Sequence, residues 1–311
     1  MPQTTLGSSV FHAGELALQQ QAGSREQLAL HGPRIVQEAM TLAHQAFFAQ
    51  LPFLVVGAAD PDGQPWCGLL EGPPGFVHAR DARTLRVQAL PKPDDPLAAG
   101  LRAGAYVGML GIEPGTRRRN RVNGRVLELD AAGFTVELQQ CFGNCPRYIQ
   151  LREARLEIPA SDAPAPVLAS RLQGEAAELV RRAETLFIAS RALEGQAGGG
   201  ADASHRGGRP GFVHVESGGR RLAWADFPGN RYFNTLGNLL LEPRAGLAFP
   251  DFETGALVHV AGRAEVLGAA QASALGGAQR AVLLNVERVV HRPAALRQRW
   301  RLLELSPYLP G

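Results

Sequence analysis

Lysine is all but missing from this chain. Lys92 is the only one, so the net charge of +3 and the isoelectric point near 9.0 rest on arginine. Those arginines are scattered, and no basic run alternates with aromatic residues, so a nucleic-acid-binding surface is not expected. Cysteine is scarce too: Cys67, Cys141 and Cys145 are odd in number and form no C-x-x-C pair. That argues against a disulfide framework and against a zinc site; Cys141 and Cys145 alone do not make a metal centre. No window approaches the eighteen or so uninterrupted apolar residues of a membrane helix. The start, MPQTTLGSSVFHAGE, lacks a basic segment followed by an apolar core, so the expected location is the cytoplasm.

What remains is ordinary globular material: 311 residues, 45% hydrophobic and 20% charged. That length suits two domains or one pseudo-symmetric unit. With 22 prolines and 36 glycines, many turns and few long helices are expected.

Residues 1–32 read as a polar, glutamine-rich extension with two short helical pieces, LALQQQAG and REQLALHG. Pro33 suits a first helical turn, and Val36, Met40, Ala43 and Phe47 follow on one helical face. The apolar run Phe53–Ala59 ends in Asp60-Pro-Asp-Gly63, a turn spelling. Short strand candidates follow at 66–70, 75–79, 84–89, 105–112, 122–129 and 134–140. Strands this short and this evenly punctuated suggest a small barrel or sandwich. Residues 157–166, EIPASDAPAP, read as a linker. Beyond them, Leu172, Ala176, Leu179 and Ala183 repeat the helical spacing. A strand at 186–190 and a loose stretch, EGQAGGGADASHRGGR, come next. Strands are expected again at 211–215, 222–225, 245–249, 257–266 and 281–290. The tail 294–305, with Leu296, Trp300 and Leu303 on one face, reads as a helix.

The two lists match in residues as well as in pattern. PGFVH occurs at Pro74–His78 and again at Pro210–His214, an offset of 136; VNGRV at Val122–Val126 aligns with VAGRA at Val260–Ala264, an offset of 138. Two motifs in the same order at nearly the same offset indicate a tandem duplication, which normally reproduces a two-fold dimer interface inside one chain. The repeated His78 and His214 flank apolar runs and read as structural histidines.

After the strand at 222–225 comes GNRYFNTLGNLL, with Asn230, Arg231, Asn234, Thr235 and Asn238. Arginine meets a phosphate with paired charge-assisted hydrogen bonds, and a glycine-containing turn lets backbone amides converge on the same oxygens. A plain polar surface turn leading into a helix remains open from these residues alone. The first half has no such set at the equivalent place: LPKPDDPLAAGLRAG offers Asp94 and Asp95, which would repel phosphate. Instead it carries Arg117, Arg119, Arg121 and Asn123 at alternate positions, where the second half offers only Ala256, Val258, Val260 and Gly262. An exposed edge strand protected by charge would look the same. FGNCPRYIQ likewise has no polar equivalent in VERVVHRPAA. Cys145 reads either as a reactive thiol or as a small buried residue.

Together, SHRGGRPGFVHV, LAWADFPGNRYFNTLGNLLLEPRAGLAF, FETG and AGRAEV in the second half resemble the FMN-binding split barrels related to pyridoxamine 5'-phosphate oxidase. PWCGLLEGPPGFVHARDARTLRV, GTRRRNRVNGRV and CFGNCPRYIQ resemble the same superfamily in a two-copy form sometimes fused to reductase modules. The resemblance covers about residues 46–150 and 185–290. It implies a mainly β (α+β) protein of two tandem split β-barrels with flanking helices, an intrachain pseudo-dimer with flavin in the groove between barrels. The divisions are 1–32 (extension), 33–156 (first barrel), 157–166 (linker) and 167–311 (second barrel with a C-terminal helix).

Carried over residue by residue, the phosphate grip falls on Asn230, Arg231, Asn234 and Thr235, with Asn238 nearby and Ser204 and Arg206 toward the ribityl chain or ring. The partner half contributes Arg117, Arg119, Arg121, Asn123, Asn144, Cys145, Arg147 and Tyr148. Each half has kept what the other lost, so one FMN per chain is expected. The implied activity is flavin-dependent oxidation or reduction of a small molecule, with NADH, NADPH or a reductase partner as electron donor and no side chain assigned a catalytic role. Pyridoxamine phosphate is not the expected substrate, because that enzyme's substrate-binding residues have no match here. A flavin-binding module without turnover, or a haem or deazaflavin binder in the same groove, stays open; for haem no axial histidine stands out. No metal, membrane or nucleic-acid partner is expected, and the chain would be a monomer with internal pseudo-symmetry or a homodimer.

Overall fold

The computed structural model describes residues 9–158, 164–192, 198–276 and 279–309. Three helices come first: α1 (Ala13–Gln21), α2 (Arg25–Ile35) and α3 (Leu42–Ala49). Seven strands follow: β1 (Phe53–Ala59), β2 (Pro65–Glu71), β3 (Val77–Asp81), β4 (Thr84–Val87), β5 (Tyr106–Glu113), β6 (Arg118–Asp130) and β7 (Gly133–Gly143). They form one antiparallel sheet in the order β2-β1-β5-β6-β7-β4-β3. After β8 (Leu151–Glu157) and β9 (Val167–Ala169), the second half opens with α4 (Gly174–Arg182). It continues with β10 (Thr185–Ala192), β11 (Gly200–Gly207), β12 (Val213–Val215), β13 (Arg221–Asp226) and α5 (Asn234–Leu241). The last strands are β14 (Arg244–Pro250), β15 (Leu257–Leu267), β16 (Arg280–Arg292) and β17 (Gln298–Glu304). Its main sheet runs β11-β10-β14-β15-β16-β13-β12, with β9 added beside β16. Counted within each half, the two strand orders are identical, the result a duplication predicts.

Each half has its own apolar core, one around Phe47, Phe48, Met109 and Phe134, the other around Trp224, Leu247, Phe249 and Val260. A third core joins them, with Phe53, Val55, Leu110 and Ile149 from the first half against Phe187, Phe252, Leu257 and Trp300 from the second. The backbones of the two halves also approach closely at two equivalent glycines. A Cβ on Gly108 of β5 would lie 2.4 Å from Asp202 Cα, and one on Gly246 of β14 would lie 2.2 Å from Pro65 O. Gly108 and Gly246 are 138 residues apart, the spacing of the repeat. The β8–β17 ribbon pairs the end of one half with the end of the other.

Several expectations fail. The tail is strand β17, not a helix: Trp300 packs edge-on against Phe53 at 5.9 Å, and the unforeseen β8 supplies the pairing partner. Three apolar residues are too short a pattern to fix a period. The loose stretch holds β11, whose Ala201 and Ala203 are buried between sheets where only small side chains fit; residues 193–197 lie outside the described region. Pro33 sits near the end of α2 rather than at a helix start, and a break separates Val36 from α3, where Thr41 caps the helix through His44 N–H at 3.2 Å. The 32/33 division therefore cuts α2. The linker at 157–166 overlaps the end of β8, and its residues 159–163 lie outside the described region. The arginine strand is no edge: β6 lies between β5 and β7. Among the described residues no helix is long and apolar enough to cross a membrane, which says nothing of strands.

Candidate functional site

A cavity of about 230 Å³ lies between the two halves. Its walls come from β6 and the segment 144–148 of the first half, and from β11, the loop after β13 and the first turn of α5 in the second. Twelve residues singled out from sequence line it: Arg119, Arg121, Asn144, Cys145, Arg147, Tyr148, Ser204, Arg206, Asn230, Arg231, Asn234 and Thr235. Arg117, Asn123 and Asn238 do not.

The strand period explains the β6 side. Arg119, Arg121 and Asn123 share a face and turn toward β11, as alternation requires. Arg121 is buried; its Nη1 donates to Asp202 Oδ1 at 3.0 Å and its Nη2 to Ser204 Oγ. Thr235 Oγ1 donates to the same Ser204 oxygen at 2.8 Å, which ties α5 to the arginine strand of the other half. Asp202 is the hub that sequence reading missed. Besides Arg121 it accepts from Asn123 Nδ2 at 2.7 Å and from Asn238 Nδ2 at 3.0 Å. Asn123 and Asn238 are thus structural partners of Asp202. Arg117 diverges for a backbone reason. It precedes β6 with φ 58°, which breaks the alternation, and its guanidinium goes to Ile149 O and Glu304.

Among the described residues Arg119 has no carboxylate partner. Its Nη1 meets His205 Nδ1 at 3.3 Å, and its buried Nε has no partner. Burial, then the neighbouring Arg206 and Arg121, push its guanidinium down to about 9. His205 is held well below its ordinary value by burial and by Arg119 and Arg206, so it is neutral and free to accept from Arg119. Arg121 Nε and Asn144 Nδ2 are also buried without partners. Arg206 is satisfied by Asp226 at 3.0 Å.

The mouth is closed by contacts between halves. Asn230 Nδ2 donates to Asn144 Oδ1 at 3.1 Å, and Tyr148 OH donates to Pro228 O at 2.9 Å beside the Phe227 ring. Cys145 is half-buried at the wall, and Arg147 lies over the Tyr308 ring. Of the non-glycine residues at positive φ, Tyr148, Arg231 and Phe233 (69°, 61° and 64°) all line the cavity. Backbone held in the left-handed region gathers where neighbouring structure over-determines it, commonly at sites of function.

Strand pairing shifts the match between the two halves by one residue. The ladders pair Leu110 with Arg121 and Ala248 with His259, so the counterparts of Arg119, Arg121 and Asn123 are Leu257, His259 and Ala261. The residues set against them from sequence, Ala256, Val258, Val260 and Gly262, are one step out of register and face the other side. At this mirror position His259 is buried near Asp95, and Leu97 packs where a Cβ on Gly68, the counterpart of Ser204, would fall. Asp95 and Asp94 are paired with Arg292 at 2.6 and 2.9 Å. A carboxylate–guanidinium pair and Leu97 fill the place where the other half leaves a cavity.

Other residues at or behind the site escaped the sequence reading. His205, Asp226, Phe227, Phe233 and Arg280 line the cavity. Asp202, Ser204 and Arg206 stand at strand spacing, a signal hidden by the glycines around them. Behind α5, His12 and Glu15 of the N-terminal extension reach Asn238 and Asn234. Their H-x-x-E spacing is a capping box, but nothing local ties it to residues more than 200 positions away.

Residues 40–160 match the family model described as pyridoxamine 5'-phosphate oxidase. No curated protein matches. Among solved structures, HupZ of Group A Streptococcus shares 14% identity, covering 38% of this chain and 92% of its own, with a TM-score of 0.30. A putative pyridoxamine 5'-phosphate oxidase of Lactobacillus delbrueckii shares 20%, covering 39% and 94%, at 0.31. A Clostridium acetobutylicum protein related to general stress protein 26 shares 14%, covering 42% and 92%, at 0.30. Likeness at this level has no bearing on activity. The matched span, somewhat over a third of the chain, is the part that supplies the arginine strand and the segment 144–148, and over that span the sequence is similar to the pyridoxamine 5'-phosphate oxidase family.

Proposed function

We propose that the chain forms two tandem split barrels that bind one FMN between them, and that it acts as a flavin-dependent oxidoreductase on a small molecule in the cytoplasm. The observation that carries this is the unpaired cationic wall. Arg119, Arg147, Arg231 and Arg280 line the cavity without a carboxylate in hydrogen-bond reach among the described residues, and there donors at Arg119 Nε, Arg121 Nε and Asn144 Nδ2 are buried without acceptors. Buried donors left this way favour a ligand with anionic and carbonyl oxygens. Asn230, Arg231, Asn234 and Thr235, at the start of α5, would hold the phosphate, with Ser204 and Arg206 toward the rest of the molecule. The first half would close the site with Arg119, Arg121, Asn144, Cys145, Arg147 and Tyr148. When bound, flavin supplies hydride or electron transfer; the chain's part is to bind, orient and exclude water. The mirror position, with Asp94 and Asp95 on Arg292, would take no second phosphate.

Purified protein is expected to be yellow and to release FMN, not FAD, at close to one per chain. A colourless protein that fails to take up added FMN would overturn the reading. Bleaching of the spectrum by NADH or NADPH would support an enzyme; an inert spectrum would favour a binding module or one served by a separate reductase. Arg231→Ala is expected to weaken FMN roughly tenfold or more, the scale of a lost charge-assisted contact, and to leave riboflavin nearly unchanged. Equal losses for both would place the phosphate elsewhere.

One observation favours a second reading. His205, neutral and at the cavity wall, is the axial ligand candidate that a haem site requires and that the sequence did not reveal. A Soret band on adding haem, lost in His205→Ala, would select that reading over flavin.

A further inference from the structure

The N-terminal extension has no part in the functional reading above, yet it touches the phosphate end of the cavity. Helix α1 lies so close to α5 that a Cβ on Gly14 would fall 2.1 Å from Gly237 O. At this contact Glu15 is only 2% exposed. Its Oε1 accepts from Asn234 Nδ2 and its Oε2 accepts from His12 N–H at 2.9 Å. Asn234 itself lines the cavity, one residue from Thr235. Glu15 is therefore the carboxyl directly behind the first turn of α5.

We propose that Glu15 is a positioning residue for the anionic end of the ligand: uncharged, it holds Asn234 and α5 against α1, and its ionisation weakens anion binding in front of them. This rests on the flavin reading above. The groups that bear on it are few. Within its own element, His12 is buried and lowered from its ordinary value, so it brings no positive charge. From β11, Asp202 repels a charge on Glu15; from β6, Arg121 offsets this in part; from α5, Asn234 donates to it, while Asn238 binds the His12 ring. Burial dominates, and with Asp202 it pushes the Glu15 carboxyl up to about 8. The sign follows. A carboxyl raised on folding gives up stability as pH climbs from the ordinary glutamate range through about 8. A phosphate bound in front of it would raise that value further, so ligand affinity falls as pH climbs from about 8 toward the raised value.

The test compares wild type with Glu15→Gln, which keeps the shape of the neutral side chain; the Asn234 amide can reverse to suit it. Dissociation constants for FMN and riboflavin are measured from pH 7 to 9, with the thermal midpoint of the ligand-free protein. In wild type the FMN constant should rise on the order of tenfold, as expected for a charge created a few ångströms behind a bound dianion. Riboflavin should shift less than twofold. In Glu15→Gln the FMN slope should flatten to whatever Arg119 contributes, and the alkaline fall in thermal midpoint should shrink. A wild-type FMN affinity independent of pH, or a variant with the same slope as wild type, overturns the proposal while leaving FMN binding intact. If neither protein binds FMN at pH 7, the flavin reading fails and the proposal falls with it; the thermal midpoints still report whether Glu15 is held neutral.

Discussion

Arg119→Ala is expected to leave the ligand-free protein at least as stable as wild type, whereas Arg121→Ala destabilises it by about 3–5 kcal/mol. The residues are two apart on one strand face, but their surroundings differ. Arg121 is buried and paired with Asp202. Removing it leaves that carboxylate held only by the Asn123 and Asn238 amides, a buried charge without a counter-charge. Arg119 has no such partner. It is pressed by Arg206 and Arg121 and keeps an unsatisfied donor, which carries a penalty of about 1–3 kcal/mol. Taking it away relieves the ligand-free protein and removes a contact the ligand would make, so FMN affinity should fall roughly tenfold. Chemical denaturation of both variants without ligand, beside FMN titration, reads the two effects separately. Equal destabilisation by both changes would show that Arg119 is a structural residue rather than one held ready for an anion.

Gly108→Ala is expected to be strongly destabilising for a single added methyl group. The new Cβ would lie 2.4 Å from Asp202 Cα, and backbone cannot swing aside as a side-chain tip can. Overpacking usually costs about 1–3 kcal/mol, and here the upper end or beyond is expected because β5 and β11 must separate. The same displacement moves Asp202 and Ser204 away from Arg121, so FMN binding should fall together with stability. Gly218→Ala is the matched control: nothing lies within 4 Å of its added Cβ, and the change should stay within about 0.5 kcal/mol. A Gly108→Ala protein that melts with wild type would mean that the two halves are not in contact there.

Much of this protein was decided locally and could be read so. The strands declare themselves through short apolar runs between turn residues, as at Asp60–Gly63, where Gly63 takes φ 81°. The repeat was visible in PGFVH and in VNGRV against VAGRA, and period-two alternation put Arg119 and Arg121 on one face before any fold was known. The asymmetry of the halves was legible too, in the polar GNRYFNTLGN after β13 against Asp94 and Asp95 at the equivalent place of the first half, although it took the fold to show both carboxylates paired with Arg292.

Tertiary structure decided the rest, for reasons of distance and register. Arg117 follows the same alternation on paper but lies outside β6 at positive φ, and only the pairing of β5 with β6 shows where the strand begins. That pairing, matched to β14 with β15, also sets His259 rather than Val258 or Val260 opposite Arg121; one residue of slip turns every side chain to the other face. The tail became β17 because β8, some 145 residues earlier, offers an unpaired edge. Glu15 and Asp202 carry no mark of their position in sequence. Their surroundings, and so their chemistry, exist only once α1 is packed on α5 and β11 on β5, because burial and neighbouring charge are properties of the assembled fold. Sequence thus determined which polar residue types the two halves bring together, and folding determined which of them face the cavity.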